Sequence, residues 1–318
     1  MKPLLIVNPA SAQGRTGRRF DSIARSVRSA IGEFDWIFTR RRGDAVLLAQ
    51  KAARSASRLI VAVGGDGTAS EVIDGLVAGR DAVRPDLAFG HIPGGTGRDL
   101  CRSVGLSSDP AEAARALAGG LVRTFDLGRV EFQGHDGSRQ VRHFANVADV
   151  GIGGLVVSKV DRGWKGLGGR LTFLTATARA LLEYRDQPIR YRIDGGPWME
   201  ERLTALCVCN GRYFGGGMVV APQAQMDDGL LDVTLWKGLG MLDFATKRRM
   251  LYDGSHVALP NTRCLRARVV EAEPLEGARV LLDVDGEQPG VLPARFTILP
   301  GALRLKVAEP FPPCRKSA

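Results

Sequence analysis

The chain has 318 residues, a formal net charge of +10, 44% apolar residues and 25% charged residues. These proportions are typical of a folded globular protein and exclude disordered, collagen-like and coiled-coil chains, and the length fits about two domains. The positive charge favours acidic partners such as nucleic acid, anionic membranes or phosphorylated substrates. It is carried by 36 Arg against 8 Lys, a bias that a GC-rich genome alone can produce, so the charge does not choose between these partners.

The cysteines and the apolar runs bear on the location of the protein. The five cysteines are Cys101, Cys207, Cys209, Cys264 and Cys314, and no two of them form a Cys-x-x-Cys pair. An odd number without such pairs favours free thiols in a reducing compartment. The first apolar run, residues 4–7, is too short for a signal peptide, and no stretch approaches the roughly 18 apolar residues of a membrane span. We therefore expect a cytoplasmic protein that can meet a membrane, at its inner face, only peripherally.

Strands and helices alternate in the first third of the chain. The predicted strands are residues 4–7, 35–39, 59–63 and 87–92, and the predicted helices are residues 15–31, 44–55, 68–76 and 97–104. This order predicts a parallel sheet with helices on both faces. Ligands in such sheets bind at the carboxyl ends of the strands, and the glycine-containing turns of this chain follow those ends.

From about Phe125 short strands dominate. The predicted strands are residues 126–132, 141–147, 189–193, 204–209, 230–236, 265–270, 280–284, 296–299 and 303–307, and two predicted helices, 171–184 and 239–252, interrupt them. Short strands separated by Gly, Pro and Asp indicate an antiparallel β domain. We predict an α/β domain over residues 1–124 and a β domain over residues 125–318, whose last strand or tail can pack back on the first domain.

The strongest motif is Gly64-Gly65-Asp66-Gly67-Thr68, which follows a predicted strand and precedes a predicted helix. Its glycines expose backbone N–H groups where a helix N-terminus points, which is a cradle for phosphate. Asp66 would repel a bare phosphate, so it suits a place beside a metal ion or an acceptor role toward a ligand hydroxyl. The alternative is a helix cap, with Asp66 or Thr68 at the N-cap and Glu71 in the first turn.

A second glycine-rich turn weakens the capping alternative. Pro93-Gly94-Gly95-Thr96-Gly97-Arg98-Asp99 follows the next strand, and Asn8-Pro9 with Gly14 and Gly17 forms a third turn of this kind. Other nucleotide and catalytic motifs are absent: the chain has no Gly-Lys dipeptide, no G-x-G-x-x-G after a strand, no H-E-x-x-H and no G-x-S-x-G. Their absence excludes a P-loop and weakens a dinucleotide-binding fold, a zinc protease and a serine hydrolase.

Two acidic clusters in the β domain, Asp227-Asp228-Gly229 and Asp285-Gly286-Glu287, are each alone an ordinary turn signal. Taken together with the glycine turns, and in this order along the chain, they form a series that resembles the diacylglycerol kinase catalytic family. That family includes bacterial diacylglycerol kinase-like lipid kinases and the sphingosine and ceramide kinases. The other matching pieces are Thr39 with Gly43, Asn146 with Gly151, Asn210 with residues 215–217, and Pro222. The matches run from residue 3 to about residue 300. The GGDGT element alone is shared with NAD kinases and phosphofructokinases.

The resemblance implies a fold, a cofactor set and a set of site residues. The fold is an N-terminal parallel-sheet α/β domain of the NAD kinase and phosphofructokinase type, a C-terminal antiparallel β-sandwich, and an active-site cleft between them. The implied nucleotide site for ATP comprises Asn8, Thr39, Gly64, Gly65, Asp66, Gly67, Thr68, Glu71, Gly95, Thr96 and Asp99. Glu287, helped by Asp285, would be the general base, and Asp228 with backbone carbonyls near Gln225 and Leu230 would hold a structural Mg²⁺. Arg98 departs from the Asn that the family usually has, and its guanidinium could clamp a phosphate.

We therefore expect an ATP- and Mg²⁺-dependent kinase of a hydroxyl on diacylglycerol or a related lipid at a membrane surface. We expect no nucleic-acid partner, and the oligomeric state stays open, a homodimer included. The alternatives are a kinase of a soluble acceptor such as NAD, and a non-catalytic module that binds nucleic acid or anionic membrane.

One segment indicates membrane contact. The basic residues Lys159, Arg162, Lys165 and Arg170 precede a predicted helix that carries Leu171, Phe173, Leu174, Leu181 and Leu182. Basic residues beside an apolar helix favour contact with anionic headgroups. The alternative is a helix that packs on the core, with its charges in water.

Overall fold

The computed structural model describes residues 2–95, 97–119, 121–162 and 169–308, with the side chains of 161, 162 and 169–174 outside the description. The chain divides into two compact units. Unit 1 contains the residues up to Leu127 and those from Leu299 onward, and unit 2 is Gly128–Ile298. The end of the last strand therefore belongs with the N-terminal unit.

Unit 1 contains a parallel sheet. Its first four strands are β1 (Leu4–Val7), β2 (Asp35–Phe38), β3 (Leu59–Gly64) and β4 (Ala88–Pro93). They lie side by side in the order β2-β1-β3-β4, all parallel. The helices are α1 (Arg15–Arg18), α2 (Phe20–Ile31), α3 (Asp44–Ala53), α4 (Asp66–Val77), α5 (Asp99–Val104) and α6 (Pro110–Gly119). The predicted parallel α/β sheet is confirmed.

Helix α4 lies at the centre of unit 1. Every residue from Thr68 to Val77 is buried, including the acidic Glu71 and Asp74. Helix α3 packs closely against it, since a Cβ added to Gly75 would lie 2.3 Å from the carbonyl oxygen of Val46. A helix buried on all sides can carry acidic residues only where they find partners, and two of the carboxylates of α4 shape the site described below.

Unit 2 is antiparallel. Its strands are β5 (Leu121–Gly134, which starts in unit 1), β6 (Arg139–Phe144), β7 (Val147–Gly151), β8 (Gln187–Ile193), β9 (Met199–Leu203), β10 (Ala205–Cys209), β11 (Tyr213–Phe214), β12 (Met218–Val219), β13 (Leu231–Trp236), β14 (Thr262–Ala267), β15 (Val269–Pro274), β16 (Leu281–Val284) and β17 (Glu287–Val307). Six strands pair side by side in the order β14-β13-β10-β7-β16-β17. Strand β17 also pairs with β15 and β5. Strand β15 in turn pairs with β8, which pairs with β9, and β5 pairs with β6. The sheets enclose an apolar core that includes Phe144, Tyr191 and Phe296.

The remaining elements connect the two units or lie within unit 2. The end of β17 crosses into unit 1 and pairs in parallel with β4, where Leu305 lies beside Phe89. The helices of unit 2 are α7 (Ile152–Arg162), α8 (Gly169–Glu183), α9 (Met241–Lys247) and α10 (Met250–Asp253). None of the described helices is long and apolar enough to cross a membrane. Cys101, Cys207, Cys209 and Cys264 are free thiols, as expected, and Cys314 lies outside the described residues.

Several predicted boundaries are wrong. The predicted strand 141–147 is two strands, because the carboxylate of Asp285 accepts hydrogen bonds from the N–H groups of Ala145, Asn146 and Val147 and turns the chain there. The predicted helices 15–31 and 239–252 are each divided in two. Helix α7 was not predicted, since Gly153 and Gly154 in its first turn lower its helix propensity.

Candidate active site

The two glycine turns of unit 1 lie against each other at the carboxyl ends of β3 and β4. The N–H of Gly94 donates a hydrogen bond to the carbonyl of Gly64 at 2.7 Å. A Cβ added to Gly95 would lie 2.5 Å from the Cα of Gly65. Because carbon atoms in contact are about 3.5–4.0 Å apart, this approach of two backbones requires glycine at position 95.

The glycines of the first turn differ in their surroundings. A Cβ on Gly64 would lie 2.5 Å from Oγ1 of Thr68, whereas a Cβ on Gly67 would meet no described atom within 4 Å. Gly67 is therefore the position at the start of α4 where the backbone has room for a ligand. The N-cap of α4 is Gly65, so the alternative with Asp66 or Thr68 as N-cap is wrong.

Two carboxylates of α4 bind the N-termini of the neighbouring helices. Asp66 accepts hydrogen bonds from the N–H groups of Asp99 at 3.1 Å and Leu100 at 3.4 Å, at the start of α5. Glu71 accepts from Gly43 at 3.0 Å and Ala45 at 3.2 Å, at the start of α3. A helix N-terminus favours such carboxylates, since its first N–H groups lack partners within the helix. This role of two predicted nucleotide-binding residues is not visible in the sequence.

The other residues predicted to bind the nucleotide end the strands of the same sheet. Asn8 follows β1, and its Nδ2 donates to Oγ1 of Thr68 at 3.0 Å. Thr39 follows β2 and is buried, with its N–H bonded to the carbonyl of Val7 at 2.8 Å. Asp99 is buried and forms an ion pair with Arg102 at 2.7 Å. Thr96 lies outside the described residues. The structure thus places the described members of the predicted nucleotide site at or beside the carboxyl edge of one sheet.

Arg98 stands in an unusual conformation. It is the N-cap of α5 with φ 62° and ψ 27°, in the left-handed region. Its Nε donates to the carbonyl of Gly95 at 3.4 Å. Asn tolerates this region better than Arg does, which gives a physical reason for the Asn that the family usually has there.

In unit 2 the cluster around Asp285 and Glu287 has two parts. The carboxylate of Asp285 accepts from the N–H groups of Ala145, Asn146 and Val147 at 2.8, 3.0 and 3.0 Å. Asn210 binds the same turn, because its Nδ2 donates to the carbonyl of Ala145 at 2.8 Å. Asp285 therefore has a structural role that the sequence interpretation did not include.

The side chain of Arg142 holds Glu287. Its Oε2 accepts from the guanidinium of Arg142 at 3.1 Å, and the pair is largely shielded from water. The guanidinium fixes the orientation of the carboxylate at the start of β17. Arg142 is a residue that the sequence interpretation missed, since nothing near it in the chain marks it.

The predicted Mg²⁺ ligands carry contacts of their own. One carboxyl oxygen of Asp228 accepts from the N–H of Leu230 at 3.1 Å, and the other forms an ion pair with Arg266. Gln225 is exposed. No group of three or more His, Cys, Asp or Glu residues in the described ranges could hold a metal ion. As the structure places them, these residues do not fit Mg²⁺, because Arg266 already supplies the positive charge. The structural Mg²⁺ stays a prediction, and we derive no step from it.

An apolar pocket of about 90 Å³ lies within unit 2. Strands β7, β10, β13 and β16 and helices α7 to α10 all contribute residues to its lining. Its apolar lining includes Val156, Leu181, Trp236 and Leu251. Lys247 and Arg248 also line it, as do Asp149 on β7 and Asp283 on β16. No motif marks this pocket, since its residues come from many elements that are far apart in the sequence.

The expected membrane segment has a mixed outcome. Lys159 forms an ion pair with Glu183 at 2.6 Å, and Leu181 faces the pocket. Leu182 is 73% exposed, and so, at 77%, is Leu242 on α9. Lys165 and the side chains of Arg162, Arg170, Leu171, Phe173 and Leu174 lie outside the description.

Comparisons with known proteins agree with this architecture. Residues 2–130 match the diacylglycerol kinase catalytic domain, and residues 146–307 match the YegS C-terminal NAD kinase beta sandwich-like domain. A diacylglycerol kinase of Mycobacterium tuberculosis is 30% identical over 306 residues, covering 96% of this chain and 94% of the relative. A protein of Pseudomonas aeruginosa named "Probable lipid kinase YegS-like" is 34% identical over 277 residues, covering 86% and 84%.

A solved structure extends the comparison to the fold. The crystal structure of a diacylglycerol kinase from Bacillus anthracis str. Sterne aligns with a TM-score of 0.71 and 25% identity over 98% of each chain. The predicted fold class, an α/β domain followed by a β-sandwich-like domain, is confirmed.

Proposed function

This chain belongs to the diacylglycerol kinase catalytic family and is a lipid kinase, and we propose that it transfers the γ-phosphate of ATP to a hydroxyl of diacylglycerol or a related lipid. The apolar pocket of unit 2 is the observation that favours a lipid acceptor over a soluble acceptor such as NAD. Pockets with mostly apolar walls and a few polar groups bind molecules of the same character.

The nucleotide half of the proposal rests on unit 1. The backbone at Gly67 has room for a phosphate, and the N-terminus of α4 attracts negative charge. Asn8 and Thr68 form one hydrogen-bonded unit beside it. A Mg²⁺ ion bound to the ATP phosphates would offset charge on the transferred phosphoryl group. Asp66 and Glu71 contribute indirectly, because they hold α3 and α5 in place.

The acceptor half rests on Glu287. In the proposed step the lipid hydroxyl oxygen forms a bond to the γ-phosphorus, the bond from that phosphorus to ADP breaks, and the hydroxyl proton passes to Glu287. Arg142 keeps the carboxylate oriented before the transfer. Asp285 supports the base by fixing the β6–β7 turn, whose N–H groups it binds.

The lipid must enter a small pocket. At about 90 Å³ it is smaller than the roughly 150 Å³ cavity that accommodates benzene, so an acyl chain requires it to widen. Helices α9 and α10 are the elements suited to move, because neither contains a buried residue. Leu182 on α8 and Leu242 on α9 expose apolar side chains, and the exposed Arg248 adds positive charge beside α9. These features support reversible membrane contact, in which a basic residue near anionic headgroups contributes about 1 kcal/mol to the free energy of membrane binding.

The test is transfer of labelled γ-phosphate from ATP to a lipid panel in mixed micelles, with and without Mg²⁺. Label in an organic-soluble product that depends on Mg²⁺ supports the proposal. The variant Glu287→Gln should bind ATP yet lose about 10²–10⁴-fold in turnover, while Glu276→Gln, an exposed glutamate of the same unit, should retain it. Transfer to NAD without micelles, or salt-sensitive nucleic-acid binding without any kinase activity, would overturn the proposal.

A further inference from the structure

Strand β2 is one edge of the parallel sheet of unit 1 and exposes apolar side chains there. Among the described strands it pairs only with β1. Its four residues are all exposed, with Trp36 at 50%, Ile37 at 39% and Phe38 at 42%. Residues 36–38 include no charged residue, no Pro and no bulge, which are the usual devices that protect an edge strand from other chains. This edge is therefore open to pairing with a further strand.

The backbone of β2 turns hydrogen-bonding groups toward this open side. The N–H groups of Asp35 and Thr39 donate to carbonyl oxygens on the β1 side, at 2.9 and 2.8 Å. The direction of these groups alternates along a strand, so the N–H and C=O groups of Trp36 and Phe38 point away from β1. They form the row of donors and acceptors that an added strand would bind.

The exposed aromatic rings are packed against the body of unit 1 on one side. Side chains alternate along the strand, so Trp36 and Phe38 share one face of the sheet. The ring of the buried Phe20 on α2 lies 6.0 Å from that of Trp36 and 5.0 Å from that of Phe38. Rings that are already packed on one side lose little side-chain entropy when a partner covers the other side, which favours association.

The two ends of β2 carry opposite charges. The exposed Glu33 and Asp35 lie at its start, and the exposed Arg40 and Arg41 follow its end. When two copies of β2 pair antiparallel about a two-fold axis, the acidic end of each lies beside the basic end of the other. Opposite charges at matching positions favour this pairing and fix its direction. The strand is therefore complementary to itself in charge.

The same pairing also satisfies the backbone and the aromatic rings. With Ile37 of each copy on the two-fold axis, Trp36 of one copy is directly opposite Phe38 of the other. The N–H and C=O groups of both residues point outward, so the two copies exchange backbone hydrogen bonds at these positions. Aromatic side chains directly opposite each other on one face stabilise the pairing further. An anionic membrane, by contrast, would leave these backbone groups unused and would repel Asp35.

We infer that β2 is the interface of a symmetric dimer of this chain, in which the parallel sheets of two copies join edge to edge, antiparallel, through Trp36, Ile37 and Phe38. Such a two-fold contact closes on itself and leaves neither copy with an open β2 edge. The inference does not depend on the proposed function, since none of these three residues belongs to the proposed active site.

The first test is sedimentation velocity of the full chain over a range of concentrations. The wild type should form a dimer whose fraction rises with concentration. Ile37→Lys places two like charges against each other on the axis and should raise the dissociation constant by about tenfold or more. The matched control is Leu121→Lys, because Leu121 of the same unit is 45% exposed and lies outside β2. This control should leave the dissociation constant unchanged.

An exchange of charges tests the antiparallel direction. Asp35→Lys and Arg40→Glu each bring like charges together at both ends of the interface, so each variant alone should dimerise more weakly than the wild type. Mixed in equal amounts, the two variants restore opposite charges at both ends and should form a heterodimer, measured as energy transfer between differently labelled copies.

Three results would overturn the inference: a wild type that stays monomeric, a dimer that Ile37→Lys leaves intact, or charge variants that form no heterodimer. Binding to vesicles of phosphatidylcholine and phosphatidylglycerol that Ile37→Lys abolishes, in a chain that stays monomeric, would assign the β2 edge to a membrane instead.

Discussion

The close approach of the two glycine turns predicts that Ala at position 95 destabilises the protein, whereas Ala at position 67 does not. In Gly95→Ala the new Cβ would lie 2.5 Å from the Cα of Gly65, about 1 Å inside ordinary contact. The opposing atom is backbone, so no side-chain rotation relieves the overlap and the turns must separate. Overpacking of this kind costs about 1–3 kcal/mol. The hydrogen bond between Gly94 and Gly64 is lost if the turns part.

Gly67→Ala is the matched substitution in the same motif. Its Cβ would meet no described atom, and Ala in a helix is about 0.5–1 kcal/mol more stable than Gly. The two variants should therefore differ by about 1.5–4 kcal/mol in the free energy of unfolding, in opposite directions from the wild type. Gly67→Ala should nevertheless weaken ATP binding by about tenfold or more, or 1.4 kcal/mol, because the methyl group occupies the space left for phosphate.

Urea denaturation followed by fluorescence measures the first quantity, and calorimetric titration with a non-hydrolysable ATP analogue measures the second. A Gly95→Ala protein as stable as the wild type would refute the contact between the turns. A Gly67→Ala protein with unchanged affinity would show that the nucleotide does not approach this backbone. The two results are independent, so each half of the reasoning can fail alone.

Three further substitutions test particular contacts. Arg98→Asn should raise the free energy of unfolding by about 1 kcal/mol, because Asn adopts the left-handed conformation of this position more easily than Arg does. A variant less stable than the wild type would contradict backbone strain at Arg98. A raised KM for ATP in the variant would in addition support a phosphate-binding role for the guanidinium. Asp66→Ala should lower the free energy of unfolding by about 1–2 kcal/mol, because the N-terminus of α5 loses its carboxylate cap. The control Asp86→Ala, at an exposed position, should change the free energy of unfolding by less than about 0.5 kcal/mol. Asp149 has a pKa of about 7 in the folded protein and about 3.9 when unfolded, so its contribution to stability falls as pH rises between these values. Asp149→Asn lacks this loss, and urea titrations should therefore show the variant gaining stability relative to the wild type from pH 5 to pH 8; a constant difference would refute the raised pKa.

The sequence predicts those parts of the structure that depend on local pattern. The alternation of apolar strands and helices up to residue 104 is enough for a parallel sheet, and the glycine turns are where the strand order places them. The pattern fails where a distant residue decides the local structure. Strand 141–147 breaks because Asp285 binds three of its N–H groups from 138 to 140 residues away. Asp149 was missed for a similar reason, because an isolated Asp in an apolar strand is seen to line the pocket only when the sheet places Asp283 opposite it.

The acidic residues of the motifs illustrate a limit of motif reasoning. A motif shows the type of residue and not its partner, so each carboxylate is first assigned to a ligand or a metal. In the structure Asp66 and Glu71 accept two backbone N–H groups each and Asp285 accepts three, whereas Glu287 is bound by the side chain of Arg142. A carboxylate that binds backbone N–H groups holds the neighbouring turn or helix in place. Loss of activity after replacing Asp66, Glu71 or Asp285 is therefore expected even if none of them touches a substrate, and only a variant that keeps its stability while losing turnover, as expected of Glu287→Gln, identifies the base.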